Sequence, residues 1–227
     1  MKITLYSIKG SAGKTPIATN IALDLGYCVG TNEGIDCYSH LFTDEQFIRV
    51  GQNEEFPKFT DDTDVVFDLS GSIGDKALSI TSAIKQSNVV IVPIYNHTRS
   101  LQGGITTILE VMQFTKNIIV VATKLKKSKD STERKKEGKL VIGEYDWTQC
   151  EDFINIEKQV MENINFAIPI LPLKLSNGFD VVDDEEKSIL QLIEANNLYK
   201  YHYKTEGLQM QNIYNLIRKY ESRKEKK

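Results

Sequence analysis
The stretch Ile8 to Pro16, IKGSAGKTP, sets tighter limits on the fold of this chain than any other. It follows an apolar run of Ile3, Leu5 and Tyr6 and leads into Ile17, Ala18, Ile21, Ala22 and Leu25, whose spacing marks one face of a helix. The order is strand, glycine-bearing turn, helix. A helix start leaves backbone N–H groups unpaired and carries partial positive charge, so phosphate oxygens settle there when no side chain obstructs them. Gly10 and Gly13 give that clearance, and Gly13 also permits backbone angles closed to residues with a β-carbon. Ser11 and Ala12 complete the loop, the Lys14 ammonium falls between the β- and γ-phosphates of a nucleotide, and Thr15 offers a hydroxyl to Mg²⁺. Pro16 lies in the first helical turn, where its missing N–H costs nothing.

The ordinary Walker pattern has a glycine at the place of Ile8. Here a second lysine, Lys9, stands where the chain leaves the strand. The run Lys9-Gly10-Ser11-Ala12-Gly13-Lys14-Thr15 resembles the deviant P-loop KGGxGK[ST] of the ParA/MinD family of ATPases, with Ser11 in place of the second glycine. The resemblance implies a P-loop NTPase fold: α/β, with a doubly wound, mainly parallel sheet flanked by helices. It further implies an ATPase that forms a homodimer on binding ATP and Mg²⁺. In such a dimer Lys14 neutralises phosphate charge within its own subunit and Lys9 reaches the partner's phosphates.

The remaining chain is consistent in kind. Its 227 residues, 41% hydrophobic and 26% charged, suit one core and a single domain over 1–227. With a net charge of −3 and a pI of about 5.7, affinity for nucleic acid has to come from local basic patches. Cys28, Cys37 and Cys150 are odd in number and lack CxxC spacing, which argues against a disulfide framework or a metal cage and for a reducing cytoplasm. No run reaches transmembrane length and the N-terminus lacks a signal-like pattern, so neither export nor membrane spanning is expected.

Further strands are expected at Tyr27–Thr31, Asp64–Leu69, Val89–Ile94, Ile118–Ala122 and Phe166–Leu171. A short helix with Phe47 and Val50 on its apolar side is expected behind a capping box of Thr43 and Gln46. Asp68, at the end of its strand and followed by Ser70, Gly71, Ser72 and Gly74, reads as the Walker B carboxylate that holds Mg²⁺ through water. The resembling family has an acidic D-x-D after the second strand, linked to activation of the attacking water. This chain has Thr31-Asn32-Glu33-Gly34 there, with Asp36 a little later. Glu33 is the candidate stand-in, and a polar turn without chemistry is the other reading. His97 is read as structural. Lys124 ends the fifth expected strand at a place where P-loop proteins meet the nucleobase, and Lys126 replaces the aspartate of guanine readers, so ATP is preferred to GTP. In the family the segment after the last strand covers the adenine, which makes Pro172 a candidate neighbour of the base.

Two stretches carry basic charge. The loop 124–139, with Lys126, Lys127 and Lys129, is either a surface for phosphate backbone or a solvated insertion. The acidic stretch Asp183 to Glu186 is placed at a helix start. Met210, Ile213, Tyr214, Ile217 and Tyr220 then share one helical face, and the tail 218–227, with Arg218, Lys219 and Arg223, is basic. Packing of that face on the domain, or contact of the tail with DNA, is favoured over a membrane-lying helix. Together these readings point to a ParA-like partition ATPase of a plasmid or mobile element, cytoplasmic and nucleoid-associated. It would bind nonspecific DNA as the ATP dimer and be triggered by a ParB-like centromere-binding adaptor. A MinD-like positioning ATPase on membrane, a metabolic P-loop ligase or kinase, and a nucleotide-binding scaffold with little turnover are the alternatives.

Overall fold
The central strands are unbroken apolar runs because alternate residues enter different cores. Val90 and Val92 join one cluster with Ile108 and Phe153, whereas Val89 and Ile91 join a second with Ile21 and Ile213. The structure, a computed structural model, describes residues 1–35, 37–71, 78–127 and 145–221. Asp36, Ser72, Gly74, Lys129 and Arg223, with most of the loop 124–139 and the end of the tail 218–227, lie outside the described residues.

The strands are β1 (Lys2–Leu5), β2 (Cys28–Thr31), β3 (Phe47–Arg49), β4 (Val65–Asp68), β5 (Val89–Tyr95), β6 (Ile118–Leu125) and β7 (Ile170–Lys174). They form one 7-stranded sheet in the order β3-β2-β4-β1-β5-β6-β7, every pair parallel. The first cluster lies under α2 (Leu78–Gln86), α3 (Thr98–Val111) and α4 (Glu151–Asn163). The second lies under α1 (Lys14–Leu25) and α7 (Asn197–Glu221), with α5 (Gly178–Glu185) and α6 (Ile189–Ala195) beside them. This is the expected doubly wound α/β architecture. The chain leaves β1 toward β2 on one side and leaves β4 toward β5 on the other, and that divergence opens a crevice at the carboxyl edge beside β1.

Three local expectations are corrected by the tertiary structure. Phe47 to Arg49 is not helical: it pairs in register with Val29 to Thr31 as the edge strand β3. Thr43 does hydrogen-bond Gln46, its N–H and hydroxyl both reaching Gln46 Oε1 at 3.4 and 3.3 Å, but the result is a turn. A free sheet edge supplies partners for a whole backbone segment, which outweighs a local cap. The last strand begins at Ile170 instead of Phe166, so Pro172 lies inside β7, opposite Ala122. Proline is tolerated there because β7 is an edge strand. Finally, Asp183 and its acidic neighbours end α5 instead of starting a helix. Glu186 turns left-handed at φ 53°, and α6 begins afresh at Ser188 with a capping box to Gln191.

The stripe on the last helix is buried, with Met210, Ile213, Tyr214 and Ile217 all inside the second core. It is therefore a packing face, not one open to a membrane. Among the described residues no helix is long and apolar enough to cross a membrane. His97 caps α3, its Nδ1 accepting from the Arg99 N–H at 3.3 Å, which is a structural part.

Candidate functional site
The loop between β1 and α1 has the shape its residues require. Gly13 is the residue before α1 and sits at φ 94°, in the left-handed region. Ser11 adopts the same region at φ 59°, so the residue that departs from the glycine pattern still makes the glycine bend, against a steric penalty. A β-carbon on Gly10 would meet nothing within 4 Å, leaving open space over the loop. The loop is tied down on two sides: the Ile8 N–H donates to Thr107 Oγ1 at 3.1 Å, and the Thr123 hydroxyl donates to the Ala12 carbonyl at 2.8 Å. Lys9 is half-buried, with its backbone and Cβ against Gly103 of α3. Pro16 sits in the first turn of α1, where its carbonyl accepts from Asn20.

Lys14 is only 6% exposed, and its ammonium forms no ion pair or hydrogen bond with any described residue. A buried cation left in this state favours an anion as its partner. Its charge acts on two carboxylates. Burial pushes the Asp68 carboxyl above the usual carboxylate range, against the opposing effects of the Thr15 and Tyr38 hydroxyls and of Lys14. Burial raises Glu33 as well; Lys14 draws it back down and Asp68 adds to the rise.

Asp68 is joined to a chain of three hydroxyls. The Thr15 hydroxyl donates to Oδ2 at 2.6 Å, and the Tyr38 hydroxyl donates to the same oxygen at 2.7 Å. Thr19, one turn further along α1, hydrogen-bonds Tyr38 in turn. Asp68 Oδ1 is buried and has no partner among the described residues. An orphaned carboxylate oxygen next to a threonine hydroxyl is a hard-oxygen donor set that suits Mg²⁺, which prefers one or two such ligands together with phosphate and water. The residues present therefore fit the metal.

The loops after β2 and β4 are locked together beside this cluster. The Thr31 hydroxyl donates to the Asp68 carbonyl at 2.8 Å and accepts from the Glu33 N–H at 3.1 Å. Asn32, 3% exposed, accepts from the Ser70 N–H at 2.7 Å and donates to Ser79 at 2.8 Å. Glu33 is thereby held within electrostatic reach of Lys14 and Asp68. Gly71 packs onto the P-loop so closely that a β-carbon would lie 2.3 Å from the Ile8 carbonyl oxygen. Sequence reasoning missed Tyr38 and the role of Asn32. Tyr38 belongs to no motif, Asn32 stands in the segment where the resembling family has D-x-D, and only the fold brings the two to Asp68 and Ser70.

Toward β7 the edge is built differently. Lys124 is left-handed at φ 56°, at an irregularity in the pairing of β6 with β7, and its ammonium lies over the Tyr95 ring at 4.9 Å. Pro172 is back inside the sheet, and a cavity of about 420 Å³, lined by Lys174, Ser176 and Glu206 among others, opens at the end of the strand. Glu206 is 1% exposed, paired with Lys174 at 3.0 Å and with Ser176, and its Oε2 is unpartnered. The described basic candidates fall in two separate places. Lys126 and Lys127 are exposed beyond the carboxyl end of β6, where Lys127 lies over the Tyr145 ring. Arg218 and Lys219 are exposed near the end of α7, and Arg218 acts on Tyr27, which immediately precedes β2.

No protein-family model and no curated protein matches the sequence. Solved structures do match the fold. Cyanothece McdA in complex with ATP superposes with a TM-score of 0.62 at 12% identity over 96% of each chain. Apo McdA gives 0.61 at 10% identity over 95% of this chain and 98% of that one. A protein assigned to plasmid partition, from Borrelia burgdorferi B31 and bound to AMPPNP, gives 0.52 at 13% identity over 92% and 96%. At such identities the likeness is one of fold.

Proposed function
We propose that this protein is an Mg²⁺-dependent ATPase of the ParA/MinD type that acts in DNA partition. The observation that carries the reading is the pair of groups at the start of α1: Lys14, a lysine only 6% exposed, and Asp68, whose buried Oδ1 has no partner among the described residues, beside the Thr15 hydroxyl. Both await a phosphate–metal ligand, and the left-handed loop in front of them exposes backbone N–H groups to it. McdA and the Borrelia protein, which hold ATP and AMPPNP in the same fold, support nucleotide binding of this class.

In this reading Gly10 to Thr15 cradle the phosphates, Lys14 neutralises charge in its own subunit, and Thr15 with Asp68 holds Mg²⁺. Bound there, the metal supplies charge neutralisation to the phosphates. Lys9 belongs to a different task. Half-exposed at the mouth of the loop, it serves the nucleotide of a second copy in an ATP-bound homodimer. Glu33 orients or deprotonates the attacking water; its raised carboxyl favours proton acceptance nearer neutrality. Lys124 flanks the base, with Pro172 behind it in β7. DNA contact falls to the group Lys126, Lys127 and Lys129 or to the group Arg218, Lys219 and Arg223, and a ParB-like adaptor triggers hydrolysis. The protein would work in the cytoplasm on the nucleoid.

The test is DNA binding measured with ATP, with ADP, and with ATP after Lys9→Ala or Lys14→Ala. Lys14→Ala loses nucleotide binding by about 100-fold or more, as for a removed buried charge partner. Lys9→Ala keeps nucleotide but loses the ATP-dependent gain in DNA affinity. Equal DNA affinity across nucleotides and variants removes the partition reading. A second reading, a nucleotide-bound scaffold with little turnover, is favoured by Thr31: the hydroxyl at the strand end is already engaged by Asp68 and Glu33. Phosphate release in the presence of DNA and an adaptor separates the two.

A further inference from the structure
Tyr38 is 1% exposed and lies in a turn that no motif marks, yet its hydroxyl ends on the carboxylate that the site depends on. Its ring is wedged in the second core, with centroids 6.0 Å from Phe42 and 5.8 Å from Phe47. Its carbonyl accepts from the Leu41 and Phe42 N–H groups at 2.9 and 3.0 Å, so the backbone beneath it is held as well. The hydroxyl then bridges Thr19 and Asp68. Packing of this kind allows the phenol one position. A buried carboxylate ordinarily spreads its donors over both oxygens, because each oxygen left bare is desolvated without return. Asp68 does not: Thr15 and Tyr38 converge on Oδ2 and leave Oδ1 bare.

We propose that Tyr38 is a positioning residue for magnesium binding: by donating to the oxygen Thr15 already uses, it locks the Asp68 carboxylate with Oδ1 as the free acceptor for the hydrated ion. This rests on the nucleotide-binding reading above. With the Tyr38 hydroxyl gone, one donor remains for two equivalent oxygens, and the carboxylate turns about its axis so that neither oxygen is reserved for the ion's waters. Groups that orient metal-binding carboxylates are typically worth about 10- to 100-fold in metal affinity.

The experiment titrates MgCl₂ into the full chain with a fixed amount of AMPPNP and reads nucleotide uptake by calorimetry, for wild type, Tyr38→Phe, Thr19→Val and Tyr214→Phe. Phe keeps the ring between Phe42 and Phe47, and thermal unfolding of each variant reports its folding. The expected result is a magnesium midpoint raised about 10-fold or more in Tyr38→Phe, a smaller rise in Thr19→Val, no change in Tyr214→Phe, and unchanged weak binding of the nucleotide in EDTA. An unchanged midpoint in Tyr38→Phe overturns the proposal. So does an equal loss of binding with and without magnesium, which marks general damage to the pocket. Should wild type itself show no magnesium-dependent uptake, the nucleotide reading falls first, so the two failures are distinct.

Discussion

Helix α1 carries a carboxylate cluster at each end, and the two are built from the same parts. At its start, Asp68 accepts from a threonine on the helix and from Tyr38. Near its end, Asp24 accepts from Ser188 at the cap of α6 and from Tyr214 of α7. The difference lies in the oxygens. Asp24 gives one oxygen to each donor, Oδ1 to Ser188 and Oδ2 to Tyr214, and has nothing left to offer. Asp68 gives both donors the same oxygen and keeps the other bare. The satisfied carboxylate fastens helices together; the unsatisfied one retains a capacity to bind. The neighbouring contacts agree, since the Asn20 side chain accepts from the Ile189 N–H at 2.8 Å and the Gln191 side chain reaches the Leu23 carbonyl, so that end of α1 is clamped to α6.

Removing each carboxylate is the strongest way to break the comparison. Asp24→Ala strands the Ser188 and Tyr214 hydroxyls, of which the parent residues are buried, and is expected to cost about 2 to 4 kcal/mol of stability while leaving nucleotide affinity unchanged. Asp68→Asn is expected to do the opposite: stability equal or higher, because a buried charge with an unpaired oxygen is gone, and magnesium-dependent nucleotide binding lost. Urea unfolding and calorimetry on both variants check this. If both lose stability alike, the two clusters do the same job.

Gly71→Ala probes the unsatisfied end through the backbone. The added methyl group cannot coexist with the Ile8 carbonyl at its present position, so the loops must part, at an expected cost of about 1 to 3 kcal/mol. The displacement falls on the P-loop, so nucleotide binding weakens too. A Gly71→Ala protein with wild-type nucleotide affinity would show that the contact between the loops is passive.

The smallest effect sharpens the comparison through pH. Burial raises the Asp24 carboxyl, the Ser188 and Tyr214 hydrogen bonds pull it down, and Glu194 raises it again, with the net shift upward. A carboxyl raised in the folded state holds its proton more tightly folded than unfolded, so its contribution to stability falls as pH rises from about the ordinary aspartate value of 3.9 through the raised value. Wild type should therefore gain on Asp24→Asn as the pH is lowered from neutrality into that window. Stability differences measured at several pH values decide it: a difference independent of pH would mean that the hydrogen bonds cancel the effect of burial, and one of the opposite sign that they outweigh it.

Legibility in the sequence followed the range of the forces involved. Gly13, Lys14 and Thr15 act on their immediate neighbours, and the loop and helix start were readable from spacing alone. The runs around Val90 and Ile119 declared buried parallel strands because a residue apolar on both sides of the chain has few other places to go. Phe47 to Arg49 misled, because a strand of three residues has no period to read and exists by virtue of the edge that β2 offers. Asp183 to Glu186 misled in the same way, since only the left-handed turn at Glu186 separates the two helices that the composition joins.

By itself the sequence determined the glycine-bearing loop before α1, the parallel sheet and the place of Asp68 at a strand end, since those depend on local backbone geometry and hydrophobic period. The tertiary structure decided which oxygen of Asp68 is bare, that Tyr38 holds the other, and that the stripe on α7 packs on the sheet. Hydrogen-bond satisfaction and burial are properties of contacts between segments distant in the chain, and no spacing along one segment encodes them.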